Sequence, residues 1–297
     1  MEARGALDGD GGRVGRWRSE RAGQRFRAME DALWREAAGR AVTAQDIDTS
    51  FGVTRTYRWP GAGTPVVLLH GGGMTSVSWA PYAEALPGRD VYAVDIMGDA
   101  GRSEPRVRLG DGSDMAAWLD ETLMGLGIER AHLVGHSLGG FVALSTAVHR
   151  AVRVASLVLL DPGGIAPLRM ARFMLWGVPV LLGSLAPAPV RHWLGRRLRN
   201  PLLDNKLASR LILHGMIRHA PGFPLFNALQ DDELGTVTQP VALLIAAKGE
   251  PFDPAVLATR AEALIPQVTI EIVPDAGHAL TVSHAHVCVA AIARTAA

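Results

Sequence analysis

A serine between two glycines is the first feature that predicts chemistry. The pentapeptide Gly135-His136-Ser137-Leu138-Gly139 follows a short apolar run that ends at Val134 and precedes the helix-like segment Phe141 to Val148. In this pattern a sharp strand-to-helix turn holds the serine in a strained conformation, and side chains at the glycine positions would collide with neighbouring elements. The pattern therefore indicates that Ser137 is an exposed nucleophile.

A glycine-rich segment supplies the second feature. His70-Gly71-Gly72-Gly73 follows the apolar run Val66 to Leu69, where a fold with a Gly-x-Ser-x-Gly turn builds part of its oxyanion hole. We expect the backbone N–H groups of Gly72 and Leu138 to face the oxygen that becomes negative during acyl transfer, where one donor contributes about 3 kcal/mol. A flexible glycine-rich turn is the alternative interpretation.

Four motifs in the chain resemble those of the α/β-hydrolase family, and the resemblance runs from about Thr49 to the C-terminus. In addition to the two above, the run from Asp95 to Ser103 (DIMGDAGRS) is similar to the family's D-x-x-G-x-G-x-S loop with one extra residue. The segment Pro274-Asp275-Ala276-Gly277-His278 resembles the loop that carries the family's catalytic histidine. The resemblance implies that Ser137 attacks a carbonyl carbon while His278 takes its proton.

The acid that would orient the histidine is absent from its usual place. Family members commonly carry an aspartate about nine positions after the proline that leads the strand corresponding to Val241 to Ala246. Counting from Pro240 leads to Gly249, and the nearby carboxylates are those of Glu250 and Asp253. Asp253 precedes a proline and a helix, which is also typical of an N-cap.

Asp161 is the rival acid, because some family members carry the carboxylate after the preceding strand. The sequence Leu159-Leu160-Asp161-Pro162 ends such a strand. An Asp-Pro turn is the structural alternative for this residue. We predict Asp161 as the acid, with Asp253 as the alternative and Glu250 as a third candidate.

Strand-like and helix-like segments alternate along the chain, which predicts an α/β fold with a doubly wound, mostly parallel sheet. The expected strands are 49–58, 66–69, 91–94, 132–134, 156–160, 241–246 and 268–273. The expected helices are 28–40, 115–126, 141–148, 207–218, 254–264 and 284–296.

The sequence pattern also predicts that the chain has three parts. Residues 1–27 are rich in glycine and arginine and predict a flexible leader. Residues 28–162 and 236–297 predict the α/β core, and residues 163–235, which contain no convincing strand, predict an inserted helical cap.

Candidate pocket residues come from the motifs and from the predicted cap. Gly71, Trp79, His136 and Trp176 are the candidates, and Trp79 lies where related enzymes often carry tryptophan. The cap also supplies apolar residues that suit a hydrophobic substrate portion, although packing within the cap is the alternative. These further residues are Met170, Phe173, Met174, Leu175 and Trp193.

Arginines in the predicted cap have two interpretations. They face an anionic substrate or membrane phosphates, or they are simply solvated, as long basic side chains usually are. They are Arg169, Arg172, Arg191, Arg196, Arg197 and Arg199.

Composition excludes several classes of protein. The 30 basic and 29 acidic residues give a net charge of +1, which provides no general attraction for nucleic acid. Cys288 is the single cysteine, so an internal disulfide is impossible and a cytoplasmic location fits. No metal-binding or phosphate-binding motif is present, and we expect no metal or cofactor. We expect a small-molecule substrate, no stable membrane insertion, and a monomer or homodimer.

The sequence thus predicts a serine hydrolase that cleaves a carboxylic ester, thioester or lactone with a hydrophobic portion. The reaction would proceed through a Ser-His-acid triad and an acyl-enzyme. Lyase, cyclase or C–C bond hydrolase chemistry on the same fold is the alternative. A non-catalytic ligand-binding protein is a further possibility.

Overall fold

A computed structural model describes residues 14–37, 39, 41–197, 201–223 and 227–296. The strands are β1 Arg16–Trp17, β2 Thr43–Thr49, β3 Gly52–Trp59, β4 Ala62–Leu69, β5 Arg89–Val94, β6 Glu104–Pro105, β7 Ala131–His136, β8 Val154–Leu160, β9 His219–Ala220, β10 Val241–Ala246 and β11 Val268–Val273. The α-helices are α1 Glu20–Glu36, α2 Ala80–Glu84, α3 Gly112–Gly125, α4 Leu138–His149, α5 Met170–Gly183, α6 Ala188–Arg197, α7 Lys206–Arg218, α8 Asp231–Gly235, α9 Pro254–Leu264, α10 Leu280–Ser283 and α11 Ala285–Thr295. Short 3₁₀ helices cover Ser76–Trp79, Ala151–Arg153 and Pro201–Leu203.

The main sheet has the strand order β11-β10-β8-β7-β4-β5-β3-β2, and β6 pairs with β3. Strands β4, β5, β7, β8, β10 and β11 are parallel, whereas β2, β3 and β6 pair antiparallel at one side. This arrangement confirms the predicted α/β architecture. The segment predicted as one strand over 49–58 is instead a hairpin, in which β2 ends at Thr49 and β3 begins at Gly52.

Both faces of the sheet are covered, as alternating side chains of a central strand show. In β4, Val67 and Leu69 belong to a hydrophobic cluster with α3, α4 and α9. Val66 and Leu68 belong to a second cluster with α2 and α11 on the opposite face. All four side chains are fully buried. Because successive residues of a strand point to opposite faces, an uninterrupted apolar run is the expected sequence of such a strand.

The N-terminal part of the described chain is packed, so the predicted boundary of the leader at residue 27 is wrong. Helix α1 begins at Glu20, eight residues before the predicted start at Ala28, and Ser19 caps it by accepting the N–H of Ala22 at 3.2 Å. Phe26 is fully buried and packs against Trp17 with ring centroids 4.7 Å apart. Arg21 and Arg25, two of the arginines that suggested disorder, lie on the exposed face of this helix. Residues 1–13 of the predicted leader lie outside the described residues.

The insertion between β8 and β10, which we define as residues 162–240, contains α5 to α8 and the 3₁₀ helix Pro201–Leu203 in its described part. The prediction that this region lacks strands is wrong at one place, because β9 pairs antiparallel with β1. A two-residue strand has no periodicity that a sequence pattern can reveal. Helix α1 packs against α7, where Phe26 and Leu211 share a cluster. The N-terminal segment therefore holds one side of the insertion against the core.

We predict that Phe26→Ala lowers the free energy of unfolding by about 3–5 kcal/mol, because it removes a fully buried aromatic ring. Urea denaturation measures this change. Arg25→Ala, at the exposed neighbouring position, is the control and should change stability by less than about 0.5 kcal/mol. Equal effects of the two substitutions would contradict the packing of this segment.

Candidate active site

Ser137 occupies the sharp turn between β7 and α4. Its backbone has φ 51° and ψ −111°, a strained conformation for a residue with a side chain. A Cβ atom at Gly139 would lie 2.0 Å from the carbonyl oxygen of Leu69, and one at Gly135 would lie 2.2 Å from that of Gly139. Both glycines are therefore required by close backbone approach, which explains the Gly-x-Ser-x-Gly pattern.

His278 lies between Ser137 and Asp161. Its Nε2 is 3.0 Å from Ser137 Oγ, and its Nδ1 is 2.6 Å from Asp161 Oδ2. An ionised carboxylate can only accept hydrogen bonds, so His278 Nδ1–H donates to Asp161 and Nε2 accepts from the serine hydroxyl. All three side chains are buried. The arrangement can transfer a proton from the serine to the imidazole while the carboxylate stabilises the resulting cation.

Asp161 follows β8 and forms hydrogen bonds with the neighbouring strand β10. Its N–H donates to the carbonyl of Leu244 at 2.8 Å, and its Oδ1 accepts the N–H of Ala246 at 3.2 Å. The backbone φ of Asp161 is 44°, so this residue too lies in the left-handed region. Its position after β8, rather than after β10, brings the carboxylate to His278.

The other two candidate carboxylates have different partners. Asp253 caps α9 by accepting the N–H groups of Ala255 and Val256, and it forms an ion pair with Arg169 at 2.8 Å. The structure therefore places the alternative acid at an N-cap. Glu250 accepts the backbone N–H of His278 at 3.1 Å. Burial raises the pKa of Glu250, while this hydrogen bond opposes the increase.

Gly72 and Leu138, the residues that carry the predicted oxyanion donors, lie close together. A Cβ atom at Gly72 would be 4.0 Å from Cβ of Leu138. Leu138 is the first residue of α4, so its N–H has no partner within the helix. The two segments are joined where Gly139 N–H donates to the carbonyl of His70 at 3.0 Å. His70 Nε2 accepts the N–H of Ile96 at 3.0 Å, which anchors the glycine loop to the end of β5.

Asp99 is a site residue that the sequence analysis did not single out. Its carboxylate accepts the N–H of Gly73 at 2.8 Å and that of Ala100 at 2.7 Å, so it fixes the end of the glycine loop. Burial raises its pKa, and the nearby His70 opposes this increase. In the sequence, Asp99 is visible only as an additional aspartate in the loop that follows β5. The spacing of residues along the chain does not reveal that this aspartate contacts Gly73.

His136 supports the backbone of His278. Its Nε2–H donates to the carbonyl of His278 at 2.9 Å, and the two rings are 4.8 Å apart. Burial, with a smaller contribution from His278, lowers the pKa of His136 to about 3. The ring is therefore neutral at physiological pH and positions the neighbouring histidine without adding charge.

A cavity of about 360 Å³ opens above Ser137 and His278. The predicted pocket residues Gly71 and His136 line it, as do Asp99 and His219. Among the described lining residues there is no lysine or arginine. Its apolar lining residues are Met74, Ala100, Leu168, Met170, Phe173, Met174, Val178, Leu202, Ile212, Met216, Pro221, Phe223, Pro251 and Ala279.

Other predicted pocket residues lie elsewhere. Trp79 is 2% exposed and packs edge-to-face on Tyr82 in the core on the far side of the sheet, so its assignment to the pocket is wrong. A tryptophan that fills a core has the same sequence pattern as one that lines a pocket. Leu175 and Trp193 are exposed and do not line the cavity. Trp176 belongs to α5, but its side chain lies outside the described residues.

No group of three or more metal-ligating side chains occurs in the described part of the chain. Within the same residues, no helix combines the length and apolar character needed to cross a bilayer.

Comparisons with known proteins connect this geometry to a family. Residues 66–291 match a family model described as "Alpha/beta hydrolase family". An uncharacterized carboxylesterase, nap, of Bacillus subtilis (strain 168) is 29% identical over 243 residues, covering 79% of this chain and 80% of the relative. A 2-hydroxy-6-oxononadienedioate/2-hydroxy-6-oxononatrienedioate hydrolase of Cupriavidus pinatubonensis (strain JMP 134 / LMG 1197) is 30% identical over 281 residues, covering 88% and 96%.

A solved structure extends the similarity to the fold. The crystal structure of naproxen esterase (carboxylesterase NP) from Bacillus subtilis superposes with a TM-score of 0.80 at 24% sequence identity. The superposition covers 93% of this chain and 98% of that protein.

We predict that the free energy of unfolding falls as the pH drops from about 6.5 towards 4, because the buried side chains of His136 and His219 must remain neutral in the folded state. Burial lowers the pKa of His219 to about 4, whereas the unfolded residue titrates near 6.5. The unfolded chain thus binds more protons below pH 6.5, and the folded state loses stability. His219→Phe should reduce the difference in unfolding free energy between pH 7 and pH 5 by about 2 kcal/mol.

Chemical denaturation at the two pH values measures this difference. His286→Gln, at an exposed position, is the control and should leave the pH dependence unchanged. A pH dependence that is the same in His219→Phe and in the wild type would contradict the assignment of a buried neutral histidine at position 219.

Proposed function

Because this chain is an enzyme of the alpha/beta hydrolase family, we propose that it is a serine hydrolase of carboxylic esters with a hydrophobic acyl or alcohol portion. Thioesters and lactones belong to the same substrate class. The observation that carries the proposal is the hydrogen-bonded chain Ser137–His278–Asp161 at the floor of an apolar cavity. The relative named as a carboxylesterase supports the same reaction.

In the proposed reaction, Ser137 Oγ attacks the ester carbonyl carbon as His278 Nε2 takes its proton. Asp161 accepts the hydrogen bond from Nδ1–H and stabilises the imidazolium. The imidazolium then gives its proton to the departing alcohol, which leaves an acyl group on Ser137. Water attacks this acyl-enzyme with the same base, and the acid product and the free serine are formed.

The N–H groups of Gly72 and Leu138 are the proposed donors to the tetrahedral oxyanion. Their adjacent positions support this role, because both lie beside the serine at the start of α4. Asp99 contributes indirectly by holding Gly73 and therefore the loop that carries Gly72. Donors fixed in advance stabilise the transition state without reorganisation during the reaction.

The insertion is the proposed cap that selects the substrate. Its helix α5 contributes Met170, Phe173, Met174 and Val178 to the cavity wall. A wall of this kind favours a neutral apolar group, since each buried methylene contributes about 0.8 kcal/mol. Ser137 and His278 supply polar atoms at the floor of the cavity, where the scissile bond would lie.

C–C bond hydrolysis is the second candidate, and the relative named for a dienedioate substrate favours it. Such a substrate carries two carboxylates, and a buried carboxylate needs cationic or N–H partners. The described cavity lining supplies Asp99 but no lysine or arginine. This composition favours an uncharged ester over a dicarboxylate.

The hydrogen bond from His278 to Asp161 also argues against a purely ligand-binding role, because it completes a base that binding alone does not require.

We predict that Ser137→Ala lowers the kcat for p-nitrophenyl butyrate by at least about 10⁴-fold, because the nucleophile is lost. Asp161→Asn should lower kcat by about 10³- to 10⁴-fold, because the amide cannot stabilise the imidazolium in the same way. Steady-state assays of purified variants measure both effects.

Asp253→Asn is the matched control for the acid, since asparagine caps a helix as well as aspartate. It should retain activity within about threefold, because the loss of the half-exposed ion pair with Arg169 changes stability only slightly. Equal losses in Asp161→Asn and Asp253→Asn would contradict the assignment of Asp161. An inert wild type would overturn the esterase proposal.

A separate prediction concerns the charge of the substrate. We expect kcat/KM for p-nitrophenyl valerate to exceed that for p-nitrophenyl hemisuccinate by at least about 100-fold, because the second substrate brings a carboxylate into an apolar cavity beside Asp99. Both esters have the same leaving group and similar size, so competition kinetics isolate the charge. Equal or faster hydrolysis of the hemisuccinate would favour the dicarboxylate alternative.

A further inference from the structure

The described side chains of helix α5 include two stripes of exposed apolar residues. Met170, Met174 and Val178 recur every four residues, line the cavity and are 40–49% exposed, so they form its rim. Leu175 and Leu182 lie two turns apart on another stripe and are 78% and 63% exposed. A helix at the surface of a water-soluble domain normally has a polar outer face. Leu175 and Leu182 depart from this pattern, while Arg172 is the exposed charged residue of the same helix.

The apolar surface continues into the next helix. Leu185, in the turn between α5 and α6, is 61% exposed, and Val190 and Trp193 of α6 are 46% and 56% exposed. The two helices are in contact, because a Cβ atom at Gly183 would lie 3.0 Å from Leu194 Cδ1. We call the exposed side chains of Leu175, Leu182, Leu185, Val190 and Trp193 the outer apolar face. Surfaces of this kind mark interaction sites.

The charged side chains of α5 and α6 are all arginines, although the whole chain has a net charge of only +1. Carboxylates also lie nearby: Asp204 contacts His192 of α6 at 2.6 Å, Asp253 pairs with Arg169, and Glu250 lines a surface depression with Arg172 and Leu175. Arg172, Arg196 and Arg197 are exposed. Arg191 is buried and donates to the carbonyl of Leu203 at 2.5 Å, so it serves packing instead. A second copy of this face would bring arginines against arginines, whereas an anionic lipid surface offers both opposite charge and apolar interior.

We propose that the outer apolar face docks on an anionic lipid surface, with leucine and tryptophan side chains in the acyl boundary and arginines at the phosphates. The proposal concerns peripheral binding, not a helix that spans the bilayer. The rim formed by α5 would then stand at the lipid surface, where an apolar ester can enter the cavity without crossing water. This last step depends on the proposed esterase function, but the docking itself does not.

Vesicle flotation with Ser137→Ala protein tests the docking without turnover of lipid. We expect strong binding to vesicles of phosphatidylcholine and phosphatidylglycerol in equal amounts, weak binding to phosphatidylcholine alone, and loss of binding as salt is raised. Adding Leu175→Ser and Leu182→Ser, or Arg196→Glu and Arg197→Glu, should each weaken binding about tenfold or more.

Exposed residues outside the outer apolar face provide matched controls. Val152→Ser, at a valine that is 81% exposed, and Arg35→Glu, at the end of α1, should not change binding. In the wild-type background, the Leu175→Ser, Leu182→Ser protein should hydrolyse water-soluble p-nitrophenyl acetate at the normal rate, because neither leucine lines the cavity. This activity shows that the variant is folded.

The outcomes separate the two proposals. Absence of binding to anionic vesicles, or equal losses in the control variants, overturns the docking proposal even if esters are hydrolysed. A dimer by light scattering that Leu175→Ser, Leu182→Ser dissociates, without vesicle binding, also overturns it, because the face then contacts a second copy. Vesicle binding by a wild type that is inert towards esters would support the docking and overturn only the esterase function.

Discussion

The hydrogen bonds of His278 connect the ends of the parallel strands, and the rest of the site depends on them. The side chain contacts Ser137, which follows β7, and Asp161, which follows β8. Its backbone contacts Glu250, which follows β10, and His136 at the end of β7. Parallel strands bring their carboxyl ends to one edge of the sheet, so groups distant in sequence meet there. The register of the strands therefore determines whether the imidazole reaches both partners.

This arrangement requires backbone strain in the loops of the site. Among the described residues, Ser137, Asp161 and Asp275 are the non-glycine residues with positive φ, and Asp275 lies three residues before His278. Each such conformation costs on the order of 1–3 kcal/mol and persists only where neighbouring structure holds it. The buried apolar runs Val66–Leu69 of β4, Leu133–Val134 of β7 and Leu157–Leu160 of β8 supply that support. The site is thus rigid because the sheet beneath it is tightly packed.

Much of the fold followed from hydrophobic patterning, and much of the site did not. Strand β10, helix α9 and strand β11 have the bounds that the apolar runs predicted, because long periodic segments have few alternative structures. The N-terminal helix was truncated in the prediction because frequent arginines obscured the buried positions of Ala22 and Phe26. The sequence suggested Ser137 and His278 through their motifs. It left Asp161 and Asp253 open, because spacing along the chain does not specify which strand end faces the histidine. Asp99 was missed since its contact with Gly73 exists only after folding.

The two ends of the insertion lie at different distances from the candidate active site. It begins immediately after Asp161, the residue whose carboxylate meets His278, and it ends at Pro240, before β10 has started. Its first junction is therefore fixed by the hydrogen bonds of Asp161 to His278, Leu244 and Ala246, whereas its second is separated from the site by the length of β10. Exchange of this segment between related proteins is accordingly asymmetric: recombination can shift the downstream crossover by several residues, while the upstream crossover must preserve Asp161 and the turn that follows it.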